Sequence, residues 1–308
     1  MNTTKDYRQR ISSLKKEYEK LKQGKESLLN IIYEAELPET VYNSNAIENS
    51  TLTIKETEKI LMQLEISRDV SLREVFEAKN LATVSEYIKT KAREKEIDSE
   101  MILLLHKMLI SNINDEIAGR YRKEGEYVRV GTYIAPAPEQ VGRMINNAVL
   151  EYESDIEGFF IDRIAKFHLE FEHIHPFNDG NGRIGRVLIN YQLLRLGFPP
   201  LIVRNKGKQQ YYACFKDYEY GKKTSSMEKL LTLALLESFH KRISYLKGEK
   251  IVSLNEYSKL QNRSFNALLN SARRQTIPAF REKGVWKIGA SIRSSSKKAQ
   301  VMFMDEEK

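Results

Sequence analysis

The sequence predicts a mainly α fold: a helical bundle with a short β-hairpin flap, followed by a small C-terminal module. Three observations carry this. Apolar residues recur at helical spacing through the first 250 positions, the one break of different character is the segment Tyr127 to Pro138, and the pattern changes again at Ile251. The chain has 308 residues, 41% of them apolar, enough for a sizeable core. Mean hydropathy is −0.51, and no run of about 18 apolar residues occurs, which excludes a helical membrane span. The N-terminus is polar and lacks the apolar stretch of a secretory signal. The single cysteine, Cys214, excludes an internal disulfide and a Cys-based zinc site and suits a reducing compartment. A cytoplasmic protein is expected.

Residues 6–35 place Ile11, Leu14, Tyr18, Leu21 and Leu28 on one helix face, with Gly24 as a break. Thr53 with Glu56, and Ser71 with Glu74, have capping-box spacing and start two further helices. Helices are expected over 98–113 and 139–152. Between them, YVRVGTYIAPAP reads as the hairpin flap. Further helices follow at about 162–174, 182–196, 208–220 and 226–247. From Ile251, a capping box at Ser253 and Glu256 opens a short helix, a second spans about 264–274, and two strands flank Lys283-Gly284. Helix, turn, helix, hairpin is the order of a winged helix. The expected division is therefore 1–250, 251–292 as a winged-helix module, and 293–308 as a flexible tail. Charge follows it: residues 251–308 hold 11 Lys/Arg against 5 Asp/Glu, while the net charge of the whole chain is +8. Only the C-terminal module has the basicity to contact a phosphate backbone.

The chemistry-bearing stretch is His175-Pro176-Phe177-Asn178-Asp179-Gly180-Asn181-Gly182-Arg183-Ile184-Gly185-Arg186. Its glycines satisfy GxGxxG, but no strand precedes them and no acid lies between Arg186 and Lys216, against a dinucleotide fold. A calcium loop from Asp179 would need Asp or Asn where Arg183 stands and Glu where Asn190 stands. A plain Asn/Gly-rich turn is the remaining bland reading. Against it, Gly180, Asn181 and Gly182 open a helix, so their N–H groups converge with the helix dipole into an anion cradle. Arg183 and Arg186, three residues apart, can point to the same side and add two guanidinium groups. Asp179 is placed to hold Mg2+ against the same phosphates, and His175 is the candidate general base. His168 and His173 are five residues apart and turn to different faces, against a zinc cluster. His106 and His240 read as ordinary helix residues.

This stretch resembles the signature of the Fic family, HxFx(D/E)GNGRxxR, at every specified position. The resemblance extends to Ala118-Gly119-Arg120-Tyr121-Arg122 and the flap, over about residues 40–240. It implies a Fic-type helical bundle that transfers AMP from ATP to a Ser, Thr or Tyr hydroxyl of a protein, itself included, releasing pyrophosphate. By that resemblance His175 deprotonates the hydroxyl and Asp179 holds Mg2+ between the α- and β-phosphates. Gly180, Asn181 and Gly182 cradle the phosphates, Arg183 contacts the β-phosphate and Arg186 the γ-phosphate. Phe177 anchors the loop in the core, Tyr211 lies at the nucleotide, and Val130, Gly131, Thr132 and Tyr133 dock the target by strand addition. Glu219 stands where relatives often carry Asn near the adenine.

Upstream, Ser44-Asn45-Ala46-Ile47-Glu48-Asn49 matches the family's inhibitory motif (S/T)xxxE(G/N), at 44–49, with the placement of the class whose inhibitory helix lies N-terminal in the same chain. Glu48 paired with Arg186 would displace the γ-phosphate and misalign the α-phosphorus. The bland alternative leaves Glu48 in solvent. Residues 254–289 are similar to the excisionase-like winged helix, with Arg273, Arg274, Arg281, Lys283 and Lys287 as phosphate contacts, or else a module that packs on the body or binds protein. Deadenylylation, another phosphate-linked transfer at the same site, and a DNA-binding regulator with an ATP-sensing body stay as alternatives. The expected partners are a target protein and, through the module, DNA; no membrane is involved, and a homodimer is left open.

Overall fold

A computed structural model describes residues 4–64 and 69–290. The expected tail, 293–308, lies outside the described residues. Mainly α architecture is what the chain adopts, with twelve α-helices and five short strands among the described residues. No helix among them is long and apolar enough to cross a membrane.

Helices α1 (Lys5–Lys22) and α2 (Glu26–Ile47) are separated at Gly24, whose φ of +70° lies in the left-handed region that favours glycine. In α3 (Ile54–Leu61) the Thr53 and Glu56 box closes in both directions. Ser71 caps α4 (Leu72–Lys91) by accepting the Glu74 N–H. Here only half of the expected box forms, because the Glu74 carboxylate accepts from Ser50 Oγ and Thr51 N instead, tying α4 to the chain just after α2. Asp98 caps α5 (Ser99–Ile110). Strands β1 (Arg129–Val130) and β2 (Tyr133–Ile134) form the antiparallel flap, with Gly131 at φ +60° in the turn. Then follow α6 (Pro138–Ser154), α7 (Phe160–Ile174), α8 (Asn181–Arg195), a 3-10 turn at Asn205–Gly207, α9 (Lys208–Gly221) and α10 (Ser225–Leu246).

Two apolar cores meet on α7 and α8. One gathers Leu81, Ile102, Leu105, Phe171, Phe177, Ile184 and Leu188, and the other Ile11, Ile164, Ile189, Leu193, Leu235 and Phe239. Both faces of α8 are thus covered, so its N-terminus, where the signature loop enters, is fixed from two sides.

The C-terminal module has its own small core of Val252, Leu254, Leu268, Ala272, Ala279 and Ile288. It comprises β3 (Lys250–Ser253), α11 (Leu254–Leu260), α12 (Phe265–Arg273), β4 (Ala279–Glu282) and β5 (Val285–Ala290), with antiparallel sheet order β3-β5-β4. Strand β3 is absent from the sequence reading; it is only four residues long and finds its partner, β5, across two helices. The hairpin packs on the body. Arg281 is bound through its main chain and side chain to Glu237 of α10, Lys283 Nζ lies 2.9 Å from both Glu58 oxygens of α3, and the Gly284 N–H donates to Glu39 of α2 over 3.1 Å. Lys287 pairs with Glu282. Three of the five residues expected on phosphate are therefore held by carboxylates, which leaves Arg273 and Arg274 as the exposed basic pair at the C-terminal end of α12.

Candidate active site

The loop between α7 and α8 is shaped by its own residues. His175 ends α7 in the left-handed region, at φ +49°, with its N–H on the Phe171 carbonyl. Phe177 is fully buried, and Asn181 clips the loop shut: its Oδ1 accepts the Phe177 N–H (2.9 Å) and its Nδ2 donates to the Phe177 carbonyl (2.8 Å). Asn181 therefore offers the site only its backbone. Gly180 has φ +83°, and α8 begins at the next residue, so the first N–H groups of the helix have no intrahelical partner.

Segment 119–122 braces this loop from below. Arg122, 3% exposed, donates from Nε to the His175 carbonyl (2.9 Å) and from Nη2 to the Pro136 carbonyl at the base of the flap (2.9 Å), while its N–H reaches the Pro176 carbonyl. One guanidinium thus joins the flap to the loop by carbonyls alone. His106 is no ordinary helix residue either. It is fully buried, stacked on Phe177 at 3.6 Å, and hydrogen-bonded through both ring nitrogens. Burial holds its pKa down to about 4.

His175 Nδ1 lies 3.4 Å from the Glu172 carbonyl. A carbonyl only accepts, so the ring proton belongs on Nδ1 and Nε2 is left as the base. Burial lowers the His175 pKa to about 4, outweighing the Glu172 carbonyl, so the imidazole is neutral at physiological pH.

The two signature arginines diverge instead of pointing the same way. Arg183, 3% exposed, reaches Asp179 Oδ1 (3.0 Å) and Glu77 of α4 (3.1 Å). Asp179 Oδ2 is held by Arg73, also on α4. Arg186 turns the other way, onto the end of α2. Its Nε donates to Ser44 Oγ (2.9 Å) and its Nη2 to the Ser44 carbonyl and Glu48 Oε1 (2.8 Å each). Its Nη1 is buried and has no partner among the described residues. The Glu48 carboxylate raises the Arg186 pKa further against the opposing effect of burial. Glu48 occupies the space over the helix N-terminus: a Cβ on Gly182 would collide with the Glu48 carboxylate and lie 3.1 Å from Arg186 Nη1.

Around Arg186 lie groups the sequence reading missed or placed elsewhere. The Glu172 carboxyl has a buried Oε1 without a partner among the described residues, and burial, then Glu48, raise its pKa to about 8 despite Arg186. Tyr211 is 1% exposed and sits behind Arg186, its hydroxyl 2.8 Å from His168 Nε2. Tyr212, half-buried, donates to the Ile47 carbonyl at the end of α2. In the flap, Val130 pairs with Tyr133, and the Tyr133 ring stacks on His173 with its hydroxyl 3.1 Å from Nε2. Val130, Gly131 and Thr132 are exposed along the edge. Glu77, Arg73, His106, Arg122 and Glu172 carry no local motif apart from Arg122, which ends the Ala118 to Arg122 run.

Residues 96–193 match the model of the Fic/DOC family. Protein adenylyltransferase Fic of Nematostella vectensis is 32% identical over 186 residues, 59% of this chain and 43% of the relative. The chain spans less than half the length of the curated relatives it matches. Among solved structures, a Fic-domain-containing signaling protein from Bacteroides thetaiotaomicron superposes with a TM-score of 0.70 at 27% identity, covering 78% of this chain and 97% of that one. Fic-1 of Caenorhabditis elegans superposes with a TM-score of 0.67 at 26% identity, covering 79% and 73%.

Proposed function

We propose that this chain is a protein adenylyltransferase that moves AMP from ATP onto a protein hydroxyl, its own included, and that Glu48 holds it back. The observation that carries this reading is the cluster at the start of α8, where buried Arg186, whose Nη1 lacks a hydrogen-bond partner among the described residues, the helix N-terminus and the side-chain-free Gly182 surround the space taken by the Glu48 carboxylate. Those are the donors a triphosphate needs. One carboxylate in their midst competes with it.

In the reaction, His175 Nε2 takes the proton of the target hydroxyl while its oxygen bonds to the α-phosphorus. The bond from that phosphorus to the bridging oxygen breaks, and pyrophosphate leaves. Neutral His175 is available for this at physiological pH. N–H groups of Gly180, Asn181 and Gly182 cradle the phosphates, Arg183 serves the β-phosphate, and Arg186 serves the γ-phosphate once Glu48 moves. Asp179 fits Mg2+, being a hard carboxylate with 32% of its side chain exposed beside the cradle; of its two partners, Arg183 and Arg73, the latter is 57% exposed and also bonded to Glu77. When bound, the ion neutralises phosphate charge. The exposed edge Val130 to Tyr133 suits an extended target segment added as a strand. Tyr211 contributes by backing Arg186. We read the described part of the expected module, residues 251–290, as a winged helix, with Arg273 and Arg274 left for an anionic partner such as DNA; residues 291 and 292 lie outside the described residues.

Labelled ATP tests the reading. With Glu48→Gly, label on the α-phosphate should enter protein and label on the γ-phosphate should not, and adding His175→Ala should abolish incorporation while ATP still binds. Incorporation of γ-label would mean phosphoryl transfer instead.

A further inference from the structure

We propose that His106 is a positioning residue for the phosphate cradle, locking the Asp179–Gly180 peptide so that the Gly180 N–H faces away from α5 toward the anion. The inference rests on the adenylyltransferase reading of the site. His106 Nδ1 receives the Gly119 N–H over 3.0 Å. A backbone N–H only donates, so Nδ1 carries no proton and the proton sits on Nε2. Nε2 lies 3.0 Å from the Asp179 carbonyl, which only accepts. The two neighbours thus fix a single tautomer, with Nε2–H donating to that carbonyl.

In a trans peptide the C=O and the following N–H point in opposite directions. Holding the Asp179 carbonyl down on α5 therefore turns the Gly180 N–H up, toward the face where α8 presents its first N–H groups. The lock has work to do because Gly180, at φ +83°, lacks the Cβ that would otherwise restrict rotation of this peptide. Both sides of the lock are rigid. A Cβ on Gly119 would lie 2.8 Å from the Lys107 side chain, so the donor loop sits flat on α5, and the imidazole itself is pinned by its stack on Phe177. A histidine that merely filled the core would need no such pair of directed bonds.

Two amide substitutions separate positioning from packing. Both remove the aromatic stack, but His106→Gln puts an amide N–H at the reach of Nε2 and His106→Asn does not. Binding of inorganic tripolyphosphate with magnesium, measured by calorimetry in the Glu48→Gly background, should stay within about threefold of the parent for Gln and weaken about tenfold for Asn. Melting temperatures of the two variants should be alike. Equal tripolyphosphate affinities for the two, with the parent binding, would overturn this inference alone. A Glu48→Gly parent that binds no tripolyphosphate would overturn the phosphate-site reading and this inference with it.

Discussion

Along α2, Glu36 and Glu39 are almost fully buried, whereas Glu48, at the helix end, keeps 38% of its side chain exposed while it holds Arg186. Glu36 accepts from Arg242 (2.6 Å) and Lys241 (3.2 Å) of α10. Burial alone would raise its pKa, but Arg242 and Lys241 together bring it down to about 2. Glu39 pairs with Arg204, which also reaches Glu237 over 2.9 Å. The same residue type thus does two jobs on one helix. Buried in a network, a carboxylate fastens the helix, since losing it strands buried cations. At the rim of a site, a carboxylate can let go, because water takes over its solvation when the contact breaks.

The largest effect should come from attacking the fastening. Glu36→Ala leaves Arg242 and Lys241 without their buried partner and should cost about 3 to 5 kcal/mol of stability, read as a fall in the midpoint of urea unfolding. A loss under about 1 kcal/mol would erase the contrast between the two stretches. Glu48→Gly should reverse the pattern. Stability should change by no more than about 1 kcal/mol, while auto-adenylylation rises roughly 30-fold if the ion pair biases the ATP pose by about 2 kcal/mol. Equal label incorporation by the variant and the natural chain would remove the inhibitory role.

A smaller, pH-dependent effect sharpens the comparison from the side of Glu172. Its folded pKa, about 8, lies above the ordinary 4.5. Between those values the native chain holds more protons than the unfolded one, so this group's contribution to stability is complete below about pH 4.5 and is lost as pH rises through about 8. Glu172→Gln should flatten that decline. Because the residue is only half-buried as a whole, the gain at pH 8 should be under about 1 kcal/mol. Thermal melts at pH 5 and pH 8 measure it, and an unchanged difference between the two would show that Glu172 is already ionised beside Arg186.

What could be read from the sequence was what is local. The boxes at Thr53 and Ser253 close within four residues, and the run from His175 to Arg186 spans one turn and the start of one helix, so residue types and spacing suffice. Glu77, Arg73 and His106 reach the loop from α4 and α5, and nothing in their neighbours' sequence marks them. Charge misled in the module for the same reason. Arg281 and Lys283 look like phosphate ligands by composition, yet their partners Glu237 and Glu58 lie on α10 and α3, and only the packed fold brings them together. The divergence of Arg183 and Arg186 is likewise a matter of where α4 and α2 stand.

The contact between the hairpin and the body has an optical consequence. Trp286 is the only tryptophan of the chain. It pairs across the hairpin with Arg281, whose guanidinium lies 4.6 Å from the indole while binding Glu237 of α10. Indole emission from the unmodified protein therefore originates at this one junction, next to the residue that clamps the module to the body. Loss of the junction would hydrate the ring and shift its emission to the red, so the fluorescence of the natural chain is a built-in gauge of whether the C-terminal module is seated.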